Sequence, residues 1–546
     1  MRWFGEVWTK EVFANYYAAQ MAAPLYPDVD HRLRFMLSYA APSYAEDRTA
    51  GANAIQQQLA NLQDAGLVYG NIIYDKSPMM MRQLVGKIGE ETFREGIGRY
   101  LRSHAYGNAT WDDLISTLDS LTTEDLRTWS AQWVDSEGMP VYRIARKGRT
   151  LSIRQEGPIH PQQLSFLVDG KMLTADCSGP SATLRLPAGA KSILPNADGM
   201  AYGYFALADD LLPASLAALD TADDLARGAT LINLHEALWR GDIPVGDYTQ
   251  RLAARLPKEQ NPLLFSLMAS QLRTAHSRYA DGADPELEQT LLSILCSDSV
   301  AARRVTALRA LADVMDSSEA VEAVYTLWSG GEKISLIDLS SQNTQCSRNT
   351  RSSQVSQSSQ NTQSSQNTLS SQNTQRSRIG LEESLKDFSL SDLDAMNLAF
   401  QLAVRLPEQS DAILAEQRSR LAGNANMLAE FSFVAPALSP RQAERDSLFE
   451  LLLTPEGRSV EPWAESALYY LNHRYRRDEA MRYVGRGLEA VEDVKRTGDI
   501  FFPKRWVGML VGGLRPGDAS LVVRKFLDGR PDYPPMLRRK ILMNVF

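Results

Sequence analysis

The spacing of apolar residues changes twice along this chain, and that change restricts the possible folds more than any single motif does. Over residues 1–138 the apolar positions recur at helical spacing, as at Phe93, Ile97, Tyr100 and Leu101, then at Leu126, Trp129 and Trp133 before Gly138 and Pro140. Within this region Thr110-Trp111-Asp112-Asp113 ahead of Leu114 fits a capping-box helix start, a hydroxyl and a carboxylate satisfying free N–H groups. From Val141 the pattern becomes short alternating runs, 141–146, 150–155 and 165–168, separated by the turn pairs Lys147-Gly148 and, after 168, Asp169-Gly170. The aromatic-rich segment 201–207 reads as the last strand. Helical spacing returns at Leu211 and persists, as at Leu393, Met396, Phe400, Ala403 and Val404. The expected fold is mainly α with a small β-sandwich: a helical unit over 1–138, the sandwich over 139–208, and an α-helical, solenoid-like domain over 209–546.

One segment breaks that last domain. Ser340-Ser341-Gln342-Asn343-Thr344-Gln345 recurs with variations as far as residue 375, and between 340 and 378 only Val355 and Leu369 could face inward in a β-helix. A disordered insertion is expected there, because so polar a tract cannot offset its ordering entropy by burial. The helical patterns ending near Trp328 and resuming by Leu385 read as one hairpin with a lengthened loop.

The 546 residues, 44% hydrophobic and 23% charged, can bury several cores. A net charge of -8 with Lys and Arg interspersed among acids argues against a nucleic-acid partner. No apolar run reaches the roughly eighteen residues of a transmembrane segment. Cys177, Cys296 and Cys346 are odd in number and far apart, so they suggest neither a disulfide framework nor a thiol metal site and leave the compartment open.

Candidate chemistry begins near the N-terminus. Trp3-Phe4-Gly5-Glu6-Val7-Trp8-Thr9-Lys10-Glu11-Val12-Phe13-Ala14-Asn15-Tyr16-Tyr17 is apolar on nearly every side of a helix, which predicts burial, with Glu11 in its middle needing a cationic or metal partner. From the residues alone, a salt bridge or a partly exposed acid is the more ordinary explanation of Glu11.

The run Trp8-Thr9-Lys10-Glu11-Val12-Phe13-Ala14 resembles the W-L-N-E-G-F-A signature of gluzincin zinc aminopeptidases of the aminopeptidase N type, peptidase family M1. Tyr74-Asp75-Lys76-Ser77 resembles that family's Y-E-K-G, with Ser77-Pro78 as N-cap and first residue of a helix. The resemblance extends through the β region to Thr497-Gly498-Asp499-Ile500-Phe501-Phe502-Pro503. It implies part of a thermolysin-like helical catalytic domain, zinc as cofactor and peptides as substrates. It further implies that Glu11 is the third zinc ligand and that Tyr74 stabilises the oxyanion of the tetrahedral intermediate.

The departures matter as much. In the family H-E-x-x-H precedes the ligand glutamate by roughly eighteen residues, which places both histidines and the general-base glutamate upstream of Met1. The G-A-M-E-N motif is also missing. The expectation is an N-terminally truncated metalloaminopeptidase fragment, inactive alone and without tightly bound zinc, its Met1 an internal methionine taken as a start. The alternative is a non-catalytic peptide- or protein-binding module built on the helical C-terminal domain. His235-Glu236-Ala237-Leu238-Trp239 begins like the zinc motif but offers tryptophan where the second imidazole belongs. His31, His104, His160, His276 and His473 lack ligand spacing and are expected in surface or capping roles.

Overall fold

The computed structural model describes residues 4–208, 211–330 and 388–546, so the 340–378 tract lies outside the described residues. The protein is mainly helical with small sheets. It divides into two compact units, one comprising Met1–Arg251, Leu452–Asn472 and Arg476–Phe546, the other Leu252–Leu451 and His473–Tyr475.

In the first unit, α1 (Trp8–Leu25) buries one stripe, Trp8, Val12 and Tyr16, at one-turn spacing. Trp8 meets Trp111 at a ring separation of 4.7 Å, and Tyr16 meets Phe93 edge-on at 6.1 Å. The all-round burial expected of this helix does not hold. Within the run up to Tyr17 the described residues cover one face only, leaving Phe13 half-buried and Tyr17 exposed; beyond the run Met21 and Leu25 are exposed too, at 69% and 71%.

The next helix, α2 (His31–Asp47), is capped by the Asp30 carboxylate, which accepts from the backbone N–H groups of Arg32 and Leu33 at 3.0 and 2.9 Å. Its last turn buries Glu46 and Asp47. A π-helical turn, Ile72–Lys76, then runs unbroken into α3 (Ser77–Ile88). This corrects the expected helix start at Ser77. Ser77 is not an N-cap; its hydroxyl donates back to the Ile73 carbonyl, a bond made within a continuing helix.

Glycine spacing explains the next contact. α4 (Glu90–Ser103) and α5 (Trp111–Asp119) approach so closely that a Cβ on Gly96 would lie 2.2 Å from Leu118 Cδ2, so Gly96 serves packing. The capping box is present: Thr110 Oγ1 accepts from the Asp113 N–H at 3.1 Å, and the Asp113 carboxylate accepts from the Thr110 N–H at 2.8 Å. α6 (Leu126–Val134) completes this helical region.

Seven strands follow: β1 (Val141–Lys147), β2 (Thr150–Glu156), β3 (Gln162–Val168), β4 (Lys171–Cys177), β5 (Ser181–Arg185), β6 (Ile193–Pro195) and β7 (Tyr204–Phe205). One sheet has the order β5-β2-β1-β7 and the other β4-β3-β6, with only β1 and β7 parallel. The β3–β4 connection turns at Asp169 and Gly170, whose φ values of 46° and 81° suit a two-residue hairpin. Phe166 of one sheet meets Phe205 of the other edge-on at 6.5 Å. Helices resume with α7 (Leu211–Thr221) and α8 (Asp224–Arg240), the latter ending at the left-handed Gly241.

The second unit consists of consecutive helices. Pro262–Tyr279, Pro285–Ser297 and Ser318–Ser329 are capped by Asn261, Asp284 and Ser317, and Asp392–Arg405 by Ser391. Successive helices pack as hairpins, Pro285–Ser297 on Ala301–Val314 and Asp392–Arg405 on Ser410–Arg420. Ser318–Ser329 and Asp392–Arg405, on either side of the undescribed tract, are also neighbours. Among the described residues no helix is long and apolar enough to cross a membrane.

Candidate functional site

The π-turn presents Tyr74 beside α1. A π-turn inserts an extra residue into a helix and is frequent at functional sites. Asn15, one turn beyond Glu11, donates from Nδ2 to the Tyr74 carbonyl at 3.0 Å, so Glu11 and Asn15 share the α1 face that meets this turn. Glu11 keeps 20% of its side chain exposed, and its carboxylate lies 3.4 Å from the Lys10 ammonium. Burial pushes the Tyr74 phenol above its ordinary value, and the Glu11 carboxylate and then Tyr69 add to the rise. The two residues singled out in the sequence are thus within electrostatic reach of each other.

Two rings flank the phenol. Tyr69 lies nearly parallel to Tyr74 at 6.0 Å, and Phe501 lies tilted at 6.2 Å. Lys540 Nζ donates to the Tyr69 carbonyl at 2.6 Å, and Lys504 pairs with the buried Glu46. Burial pushes the neighbouring Asp75 up to about 7, with Glu46 adding and Lys504 opposing. Burial likewise lowers Lys540 to about 8.

A single carboxylate is not a zinc site. Catalytic zinc takes three protein ligands plus water, and among the described residues no three His, Cys, Asp or Glu side chains are placed to hold a metal ion. The residues present therefore do not by themselves fit the zinc that the sequence resemblance implies.

The histidine at 235 is occupied by packing. Trp239 Nε1 donates to His235 Nε2 at 3.1 Å, which leaves Nδ1 as the donor toward Tyr248 Oη at 3.1 Å. Burial, helped by the Arg48 charge, pushes this imidazole down to about 3, and Glu236 is paired with Arg48. The surface or capping role expected of the remaining histidines fails for three of them. His160 is buried, stacked on Trp133 at 4.4 Å; His276 is buried with Nε2 3.1 Å from Asp316; His473 is buried with its ring 5.3 Å from Tyr475. For His160 and His276 the partners, Trp133 and Asp316, are remote in sequence, so no local spacing announces them; His473 meets a ring only two residues on.

Sequence reasoning also missed Asp47, Tyr69, Lys76 and Phe501. Lys76 and Phe501 lay inside motifs already noticed, Tyr74-Asp75-Lys76-Ser77 and the segment 497–503. A lysine flanked by Ile72, Ile73 and Met79 to Met81 was the available signal of a buried cation.

Parts of the sequence are similar to known proteins. Residues 1–133 match the peptidase family M1 domain. The chain is 24% identical to aminopeptidase N of Streptomyces lividans over 373 residues, 61% of this chain and 44% of that protein. It is 23% identical to tricorn protease-interacting factor F2 of Thermoplasma volcanium over 288 residues, 50% of this chain and 36% of that protein. It is 22% identical to a leucyl aminopeptidase of Saccharolobus solfataricus over 290 residues, 51% of this chain and 36% of that protein. The chain spans less than half the length of each of these curated relatives. Residues 1–133 are thus similar to the peptidase family M1 domain, and the α1 helix that carries Glu11 and the π-turn that carries Tyr74 both lie inside that matched segment.

Proposed function

We propose that this chain carries part of the machinery of a zinc-dependent aminopeptidase acting on peptides, with Glu11 as one zinc ligand and Tyr74 as the donor to the oxyanion. The observation that carries this reading is that Asn15, one turn from Glu11 on α1, bonds the Tyr74 carbonyl of the π-turn, inside the segment that matches the family. A phenol whose pKa is raised stays protonated near neutral pH and donates a hydrogen bond to developing negative charge. The three-part division at 138 and 208 belongs to the same reading: catalytic-domain helices, β-domain and helical C-terminal domain.

The 546 residues contain no H-E-x-x-H, so the chain alone is expected to lack two imidazole ligands and the general base that hydrolysis requires. The purified chain should retain no stoichiometric zinc and should not hydrolyse aminoacyl anilides. One equivalent of zinc with chelator-sensitive hydrolysis would overturn this view. Fusion to the H-E-x-x-H-bearing segment of a relative tests the residue roles: zinc and activity should then appear. Glu11→Ala should release the metal, while Tyr74→Phe should keep it and lower kcat by about 10²–10³-fold.

A further inference from the structure

Beneath Tyr74 lies a polar cluster that the proposed chemistry does not use. Lys76 closes the π-turn and is fully buried. Its ammonium sits 2.8 Å from Asp47 Oδ2 and donates to the Gly138 carbonyl at 2.8 Å. Tyr202 Oη donates to the same Asp47 oxygen at 2.8 Å, and its ring centroid lies 5.5 Å from the ammonium. The Asp47 carboxylate is fully buried as well.

Stability gives little reason for such a pair. Replacing a buried ion pair by apolar groups of similar volume is often neutral or stabilising, because desolvation consumes the Coulombic gain. Direction is what the pair supplies and an apolar side chain does not. An ammonium presents tetrahedral donors, here committed to a carboxylate on α2 and to the carbonyl that follows α6, so the end of the turn is fixed in rotation as well as in depth. Residues two apart on a helical turn leave it on nearly opposite sides. Pinning Lys76 inward therefore sets the outward direction of Tyr74.

We propose that the Asp47–Lys76 pair is a positioning device that orients Tyr74 between Tyr69 and Phe501. Its functional weight rests on the reading of Tyr74 as the oxyanion donor, but the positioning itself does not. Asn15 ties the Tyr74 carbonyl to α1, and the Ser77 hydroxyl ties the following turn to Ile73. Each of these holds the backbone at one point, whereas Lys76 joins the turn to two further elements at once.

The test uses the whole chain with 3-fluorotyrosine incorporated at position 74 and ¹⁹F NMR as readout, and it requires neither zinc nor activity. In the parent the resonance should be displaced from that of solvent-exposed fluorotyrosine by the rings of Tyr69 and Phe501. The double variant Asp47→Leu/Lys76→Met removes both charges and both directional partners. Its resonance should move toward the solvent value and broaden. Tyr202→Phe, which keeps the ring and both charges, should shift it the same way by less and covers the case in which the double variant does not fold. Leu118→Ala should lower the thermal midpoint and leave the Tyr74 resonance in place, separating positioning from general destabilisation. A folded double variant whose resonance coincides with the parent's overturns the proposal, as does an unmoved resonance in Tyr202→Phe. Failure of the fusion enzyme to hydrolyse peptides, with these shifts observed, overturns the aminopeptidase reading instead.

Discussion

Two consecutive residues at the end of α2 enter two polar sites of opposite character. Asp47 binds Lys76 beneath Tyr74, while Arg48 binds Glu236 beside His235. Each site has a buried ion pair and a tyrosine, and each lies within a segment that looks like a peptidase motif. At His235 both ring nitrogens and the adjacent carboxylate are used internally, and the Arg48 guanidinium also lies over the Trp239 ring at 4.8 Å. At Tyr74 the charges are used underneath, the phenol remains partly open, and Glu11 is paired only with the exposed Lys10 ammonium. What distinguishes a candidate site from a packed motif is therefore which groups stay uncommitted after the pairs are made. Resemblance of letters does not tell the two apart.

The largest expected effect comes from breaking the closed site. Arg48→Met leaves the buried Glu236 carboxylate without its main counter-charge, and loss of one partner of a buried pair costs about 3–5 kcal/mol. A denaturant midpoint that barely moves would show that water reaches Glu236 and that the site is less closed than its burial implies.

The open site should respond to pH instead. Asp75 titrates near 7 in the folded protein, above its unfolded value, so between roughly pH 4 and 7 the native state holds a proton that the unfolded chain has released. Stability should therefore fall as pH rises through that window. Asp75→Asn should flatten the profile and raise stability at pH 8 by about 1–3 kcal/mol after allowance for screening. A parent profile that rises between pH 5 and 7, unchanged by the substitution, would remove Asp75 from the account.

The sequence pointed to the candidates Glu11 and Tyr74 and left the packing beneath them hidden, for a physical reason. Helices, strands and caps follow local rules, so the period change at Val141, the Asp169-Gly170 turn and the Thr110 capping box could be read directly. Tyr74 and Glu11 were singled out through motif letters. Lys76 with Asp47, and Tyr74 with Phe501, are pairs made by tertiary packing between segments remote in the chain, and nothing in either segment specifies the other. The same limit misled the reading of α1. The apolar composition of its run up to Tyr17 predicted burial, whereas Phe13 is only half-buried and Tyr17 stands exposed, and composition carries no information about which face finds a neighbour. Ser77 shows the converse error, a local rule obeyed by the letters Ser-Pro and overridden by the π-turn that continues through them.

The smallest effects come from making one substitution at both sites. Tyr248 lies fully buried with its hydroxyl 3.1 Å from His235 Nδ1, so Tyr248→Phe should cost about 1 kcal/mol by stranding that N–H. The Tyr74 hydroxyl has no hydrogen-bond partner among the described residues, and the ring keeps its neighbours Tyr69 and Phe501 when the oxygen is removed. Tyr74→Phe should therefore leave the stability of the chain unchanged within about 0.5 kcal/mol, as for a substitution that breaks no buried bond. The comparison of denaturant midpoints is the measurement. If Tyr74→Phe costs as much as Tyr248→Phe, the Tyr74 hydroxyl is already committed within the fold, and it can no longer be counted as the free donor on which its proposed role depends.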